Sequence, residues 1–177
     1  MIGIPIALAM ANATEWVFHK YVLHRLGSNK QSFWSFHWHE HHRNARREGH
    51  LDPDYKAPLL SRWNGQSKEA VVLAATAVAM VPIFPIMPFF AATGVYCTVN
   101  YYRKHKRAHL DHEWAREHLP CHYDHHMRAN QHANWCVTRP WFDHVMGTRE
   151  PYVGTERARR DAEKRERRAA VAIATAG

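Results

Sequence analysis

The sequence predicts an all-α protein, a helical bundle integral to a membrane and topped by a histidine-rich helical cap on its cytosolic side. Three observations lead there. No residue from Ala70 to Tyr102 is charged, a stretch well beyond the ~20 apolar residues that a single membrane helix needs. Sixteen of the 177 residues are histidine, the commonest metal-ligand side chain. Those histidines fall in clusters at helical spacings on both sides of the uncharged stretch. A chain of this length supports one domain with a modest core. We place that domain at residues 1–150 and read 151–177 as a charged helical tail.

Taken in order, Ile2 to Ala13 is apolar apart from Asn12. The helical pattern runs on through Glu15, Trp16, Phe18 and His19 to about His24, and Gly27 with Ser28 would close it as a C-cap. The segment lacks a basic leader and an A-x-A cleavage site, so it reads as a mature membrane helix. Ser32 to Arg47 is a second helix-like stretch, crowded with aromatic and histidine side chains. Asp52 to Gly65 reads as loop, because Pro53 and Pro58 exclude regular structure. Pro82, Pro85 and Pro88 sit in the middle of the uncharged segment and would break or kink a helix there. The histidines before it (His19 to His42) and after it (His105 to His126) can meet only if the chain returns to its starting face. A helical hairpin over about 70–102 is therefore expected. Each arm of about 15 residues spans roughly 22 Å, short of the ~30 Å hydrocarbon core. Thr155 to Arg168 mixes Glu156, Asp161, Glu163 and Glu166 among basic residues, as a solvated or membrane-surface helix would.

Basic residues outnumber acidic ones by 24 to 16. That balance suits an anionic membrane surface or nucleic acid. No nucleic-acid-binding motif is present, and the basic clusters Arg43, Arg46, Arg47 and Arg103, Lys104, Lys106, Arg107 flank the membrane segment. Nucleic acid is therefore not an expected partner, and the positive-inside tendency puts the histidine-bearing face in the cytoplasm. Cys97, Cys121 and Cys136 are scattered and form no C-x-x-C pair, so they read as buried hydrophobes in a reducing compartment.

Four histidine clusters carry the chemistry: His19-x4-His24, His37-x3-His41-His42, His105-x3-His109 and His122-x2-His125-His126. Residues three or four apart share a helix face, so His37 with His41, His105 with His109, and His122 with His125 and His126 can each aim at one centre. Adjacent pairs diverge by about 100°, enough to reach two neighbouring ions. His19 and His24 lie about 140° apart on an ideal helix, which calls for two metals or a local distortion. Ten imidazoles are too many for one ion and suit two. Neutral imidazole accepts iron, zinc, copper or nickel, and no cysteine lies in a cluster as a structural zinc site would favour. A lone histidine such as His50 is ordinarily a surface or satisfied core residue. His39, His112, His118, His132 and His144 stay open, with His39 able to replace His37. Phe33, Trp34, Phe36 and Trp38 would line a lipid groove, form an interfacial belt, or simply fill the core.

With these clusters in hand, the sequence resembles the fatty acid hydroxylase and sterol desaturase superfamily of membrane diiron enzymes. The resemblance covers about Glu15 to Thr148, including a closing W-x-D-x-x-x-G-T stretch at Trp141, Asp143, Gly147 and Thr148. The first cluster is also similar to that of bacterial β-carotene hydroxylases, which lack the closing stretch. The resemblance implies two iron ions (zinc as an alternative occupant) held by the ten clustered histidines. It implies dioxygen as co-substrate and hydroxylation or desaturation of an unactivated C–H bond in a lipid such as a fatty acyl chain or sterol. Carotenoid ring hydroxylation is the alternative within the class. Electrons would come from an external ferredoxin, cytochrome b5 or reductase, since the chain has no dinucleotide fingerprint and no four-cysteine cluster motif. Asp124, Asp143, Glu40 and Glu15 are candidates to orient imidazoles. Outside the class, a membrane zinc hydrolase with Glu40 as base and a non-catalytic metal-binding protein are the competing readings. A metal transporter would place ionisable ligands within Ala70–Tyr102, where there are none.

Overall fold

The computed structural model describes residues 2–176 and contains helices and turns but no strand among them. Three helices form an apolar stalk: α1 (Gly3–Val17), α3 (Gly65–Val78) and α4 (Pro88–Leu110). Asn64 caps α3, its side chain accepting the Ser67 N–H at 3.1 Å, as an N-cap should. Pro88 opens α4, where a missing N–H costs nothing. Between α3 and α4 the chain turns through a short 3₁₀ segment at Val81–Ile83, so the proline-rich middle does make a hairpin. Met80 Sδ would sit 2.8 Å from a Cβ on Gly94, which shows α3 and α4 packed closely near the turn. α1 runs parallel to α4. The start of one meets the start of the other, where a Cβ on Gly3 would lie 3.0 Å from Phe90 N.

Gly65–Ile83 is long and apolar enough to cross a membrane by length and composition. Around the stalk, Ile2, Val78, Val81 and Ile86 are 65–82% exposed. α4 runs past the end of the uncharged stretch, and its basic last turns carry His105 and His109 beyond the stalk on one continuous rod.

α1 passes without a break into a π-helix at Phe18–Leu26, and a second π-turn at His37–His41 leads into α2 (His42–Arg47). Gly27 is not a left-handed cap. Its φ is −68°, and glycine is needed there because a Cβ would approach the Trp34 carbonyl to 2.8 Å. The cap is completed by α5 (His112–His118), α6 (Pro120–Met127) and α7 (Trp141–Val145). All residues of α6 from Cys121 to Met127 are buried. Ala108, Ala115, Leu119, Tyr123, Met127 and Tyr152 form the apolar core around it. The tail helix α8 (Glu156–Ala176) is tied to this core at its start, where the Tyr152 hydroxyl donates to Asp161 at 2.8 Å.

The stretch from Ala133 to Thr148 is clasped by α1 and by Asp143. Glu15 accepts the backbone N–H groups of Val137 and Thr138 at 3.0 and 2.9 Å. Asn12 donates to the Arg139 carbonyl and accepts from Phe142 N. Trp16 donates to Thr148 Oγ1 at 2.9 Å. Asp143 accepts from Trp135 N, Cys136 N and the Thr148 hydroxyl. Gly147, at φ +64°, makes the left-handed turn that brings Thr148 back to Asp143. The W-x-D-x-x-x-G-T stretch is thus a clasp on a loop.

Candidate metal centre

The sequence puts histidines at spacings that only two kinds of helix can bring together, and the fold uses both. Within α4 and α6, spacings of three and four align imidazoles on one α-helical face. For His19 and His24 the distortion is local: a π-helix closes its hydrogen bonds on i+5, so residues five apart come onto one face. Both then enter the same group. The His37–His41 π-turn does the same for His37 and His42.

Fifteen-residue α1 and its π extension, the His37–Arg47 segment, α4 and α6 converge on three groups of buried side chains that can hold a metal ion. The first contains His19, His24, His37, His42 and His125. The second contains His41, His105, His109 and His126, and the third His50, His109 and His122. All ten histidines singled out from the sequence lie in these groups. His122 belongs with the second group by position, its ring 4.6–5.0 Å from those of His105, His109 and His126.

The donor atoms are arranged for a cation. In the first group, Nε2 of His19 lies 3.0 Å from that of His37, and Nε2 of His24 lies 3.1 and 3.0 Å from those of His42 and His125. His42 Nε2 is 3.2 Å from both His37 and His125. Nitrogens at right angles around an ion, each about 2.0–2.1 Å from it, stand about 3 Å apart. These contacts cannot all be hydrogen bonds. His19 Nδ1 donates to the Trp135 carbonyl and His125 Nδ1 to the Ala133 carbonyl, each at 2.7 Å, which leaves their Nε2 atoms as bare lone pairs facing the others. In the second group His41 Nδ1 donates to Asp52 at 2.7 Å. His41 Nε2 and His126 Nε2 are buried with no hydrogen-bond partner, as ligands awaiting an ion would be.

Burial favours the neutral form, the one that binds metal, for many of these rings. Desolvation, aided by neighbouring imidazoles, keeps His37, His42, His109, His122, His125 and His126 well below the usual histidine range. His50 is lowered to about 3, chiefly by desolvation.

Sequence reasoning missed three site residues. His50 is fully buried, stacked on His109 with ring centroids 4.6 Å apart, and its carbonyl accepts from His109 Nδ1 at 2.8 Å. It stands alone in the sequence at φ +88°, so no helical spacing announces it. Asp52 and Glu69 are the acids that orient imidazoles, Glu69 Oε1 lying 2.6 Å from His105 Nδ1. Burial would raise Asp52, but its hydrogen bonds from His41, Asp54 N and Asn44 outweigh that and hold its carboxyl below the usual value. The helix-capping side chain of Asp52 at the start of a Pro-containing turn was the available signal.

The four acids expected in that role are placed elsewhere. Glu40 is exposed. Asp124 pairs with Arg149 at 2.7 Å. Glu15 and Asp143 hold the 133–148 loop, so they act on His19 and His125 only through the carbonyls of Trp135 and Ala133. His39 bonds to the Ser28 carbonyl, and His118 stacks on Trp114. His112, His132 and His144 are exposed, and none of these five lies in a group. Cys121 and Cys136 are buried and Cys97 half-buried.

A cavity of about 250 Å³ runs between α1, α3 and α4. Its far end is Ala7, Met80, Phe90 and Gly94, and its walls are mostly apolar, with Glu15 and Glu69 among the lining residues. Its ceiling includes His19 and His37 of the first group and His41 and His105 of the second. Trp34 and Phe36 line it; Trp38 does not.

No known protein family matches the chain, and no characterised protein or solved structure is significantly similar to it.

Proposed function

We propose that the protein is an integral-membrane oxygenase that uses a pair of iron ions and dioxygen to hydroxylate or desaturate an unactivated C–H position in a linear lipid chain. The observation that carries this reading is the apolar cavity closed at one end by histidines of two metal-binding groups. Against a hydrolase, which needs a polar substrate and a free base beside the bound water, the cavity is mostly apolar, Glu40 lies exposed outside it, and the two carboxylates that line it are engaged, Glu15 with Val137 and Thr138 and Glu69 with Tyr55. The exposed apolar belt of the stalk supports a bilayer setting. The basic residues Arg103, Lys104, Lys106 and Arg107 at the top of α4 support a cytoplasmic metal site.

The residues present fit such a pair of ions: all-imidazole donor sets with converging lone pairs. When bound, the ions would supply dioxygen activation and one-electron redox chemistry. The chain's own residues do the rest. From Ala7 to His19 the cavity follows twelve helical residues, about 18 Å. An extended chain gains about 1.2 Å per bond, so about fifteen bonds, some sixteen carbons, fit in single file with one end at Gly94 and a methylene under the histidines. The apolar walls exclude water from that methylene. At the ceiling, the Tyr55 hydroxyl donates to Glu69 Oε2 at 2.5 Å and lies 3.0 Å from His105 Nδ1, so it ties the carboxylate to the imidazole.

Metal analysis and Mössbauer spectroscopy on protein from cells grown with isotope-enriched iron test this reading. The expected result is about two irons per chain, with a signal that changes on reduction and again on exposure to oxygen. Zinc alone after anaerobic iron loading would overturn it and favour hydrolysis or a structural role.

A further inference from the structure

The first group has two sides. His19 and His37 face the cavity. On the opposite side the half-buried ring of Trp38 lies 4.9 Å from His24 and 5.5 Å from His42, and neither of those histidines lines the cavity. The exposed ring of His132 stacks on Trp38, with centroids 5.6 Å and planes 21° apart, and sits 6.0 Å from His24. Two aromatic rings therefore connect the polar surface to the ligands of one group. The turn that carries His132 is fixed from beneath. Arg46 donates to the carbonyls of Arg128 and His126 at 2.7 and 3.3 Å, and the Gln131 amide lies 3.1 Å from His42 Nδ1.

The same side carries basic residues. Exposed Arg46 is bonded to the turn that carries His132, and Arg43, also exposed, lies three residues before it on the same face of α2; Arg25, which follows His24 in sequence, is exposed as well. Complementary charge steers encounter and sets register.

We propose that the Trp38–His132 pair is the docking point and electron path for a small acidic one-electron carrier, an iron–sulfur or haem protein. This rests on the oxygenase reading above. Conversion of R–H and O₂ to R–OH and water consumes two electrons and two protons, and a one-electron carrier is oxidised twice per turnover. Electron tunnelling falls steeply with distance and is carried well by aromatic rings. The tyrosines nearest the second group, Tyr55 and Tyr101, face the substrate cavity, so the Trp38 side lets electrons arrive without crossing the substrate.

The test uses full-length iron-loaded protein in detergent. Reduction by a reduced [2Fe–2S] ferredoxin is followed by stopped flow, with dithionite in parallel, and binding of the oxidised ferredoxin is measured by calorimetry. Trp38→Leu and His132→Ala should each slow reduction by ferredoxin tenfold or more, with reduction by dithionite and metal content changed by less than twofold. Trp38→Phe should retain most of the rate. Arg25→Glu with Arg43→Glu should raise the Kd at least fivefold at low salt, and the difference should shrink at high salt. Unchanged ferredoxin kinetics in Trp38→Leu and His132→Ala would overturn the inference while leaving the oxygenase reading intact. Loss of binding to phosphatidylserine vesicles in the charge-reversed protein, with unchanged ferredoxin Kd, would assign this face to the membrane and overturn it too. Failure of dithionite to reduce the native protein would overturn the oxygenase reading and this inference with it.

Discussion

The two main histidine groups are built from the same side chain but are supported differently. In the first, His19 and His125 hand their Nδ1 protons to backbone carbonyls of the clasped loop, Trp135 and Ala133. In the second, His41 and His105 lean on carboxylates, Asp52 and Glu69. A carbonyl fixes a ring without adding charge, whereas a carboxylate also makes the imidazole a stronger donor. A dication among five neutral imidazoles is left with its full charge in a buried site, which is costly. The same ion in the second group has two carboxylates within one imidazole of it. The second group should therefore hold its ion more tightly, and the first should keep the more easily reduced one.

The largest effect expected separates the groups by stoichiometry. His125→Ala should remove the first-group ion and His126→Ala the second, abolishing turnover in both while the protein still inserts in membranes. Metal per chain by mass spectrometry checks this, and full activity in either variant would reject the ligand assignment. Next, Asp52→Asn or Glu69→Gln should weaken one of two metal affinities by about 10–100-fold. Chelator competition resolving two phases would show it, and an equal loss in both phases would erase the contrast drawn above.

Acid should act on the apoprotein in a defined window. Histidines held below the unfolded value bind fewer protons folded than unfolded. Stability is then fully present above about 6.5 and falls as the pH drops from there toward 3, the value for His50. A Tm measured against pH on metal-free protein should fall monotonically over that range, and a flat profile would mean that the rings are not buried as neutral groups. The smallest effect expected lies at the far end of the cavity. Gly94→Leu should displace the end of Met80 and shorten the preferred chain by a few carbons in a product-length profile, leaving both metal affinities unaltered.

How much of this was legible in the sequence depended on whether the signal was local. Helical spacing exposed ten histidines because each cluster lies within six residues on one element, and the prolines exposed the hairpin. His50, Asp52 and Glu69 could not be read that way. Each reaches the centre from its own segment, and its partner is 11 to 59 residues distant. The acids chosen for their nearness in sequence to a histidine failed for the complementary reason. On a helix, residues one apart point about 100° away from each other, so Glu40 beside His41 and Asp124 beside His125 turn outward from the metal groups. The five-residue spacing of His19 and His24 was readable as an anomaly, and the π-helix is its physical cause.

The clasp between α1 and the 133–148 loop also bears on how the molecule is made. Asn12 and Glu15 are polar residues in a mostly apolar first helix, and their partners lie 122 to 130 positions later. At a synthesis rate of ~5–20 residues per second, those partners follow about 6–25 s behind. During that interval α1 must be inserted or shielded with its polar groups unmet, and four of the five first-group histidines already exist without the fifth. Assembly is thus ordered by the ribosome: the last loop to emerge both satisfies the first helix and locks the first imidazole. A chain stalled before the loop would be a stalk with an unclasped first helix and an incomplete first histidine group.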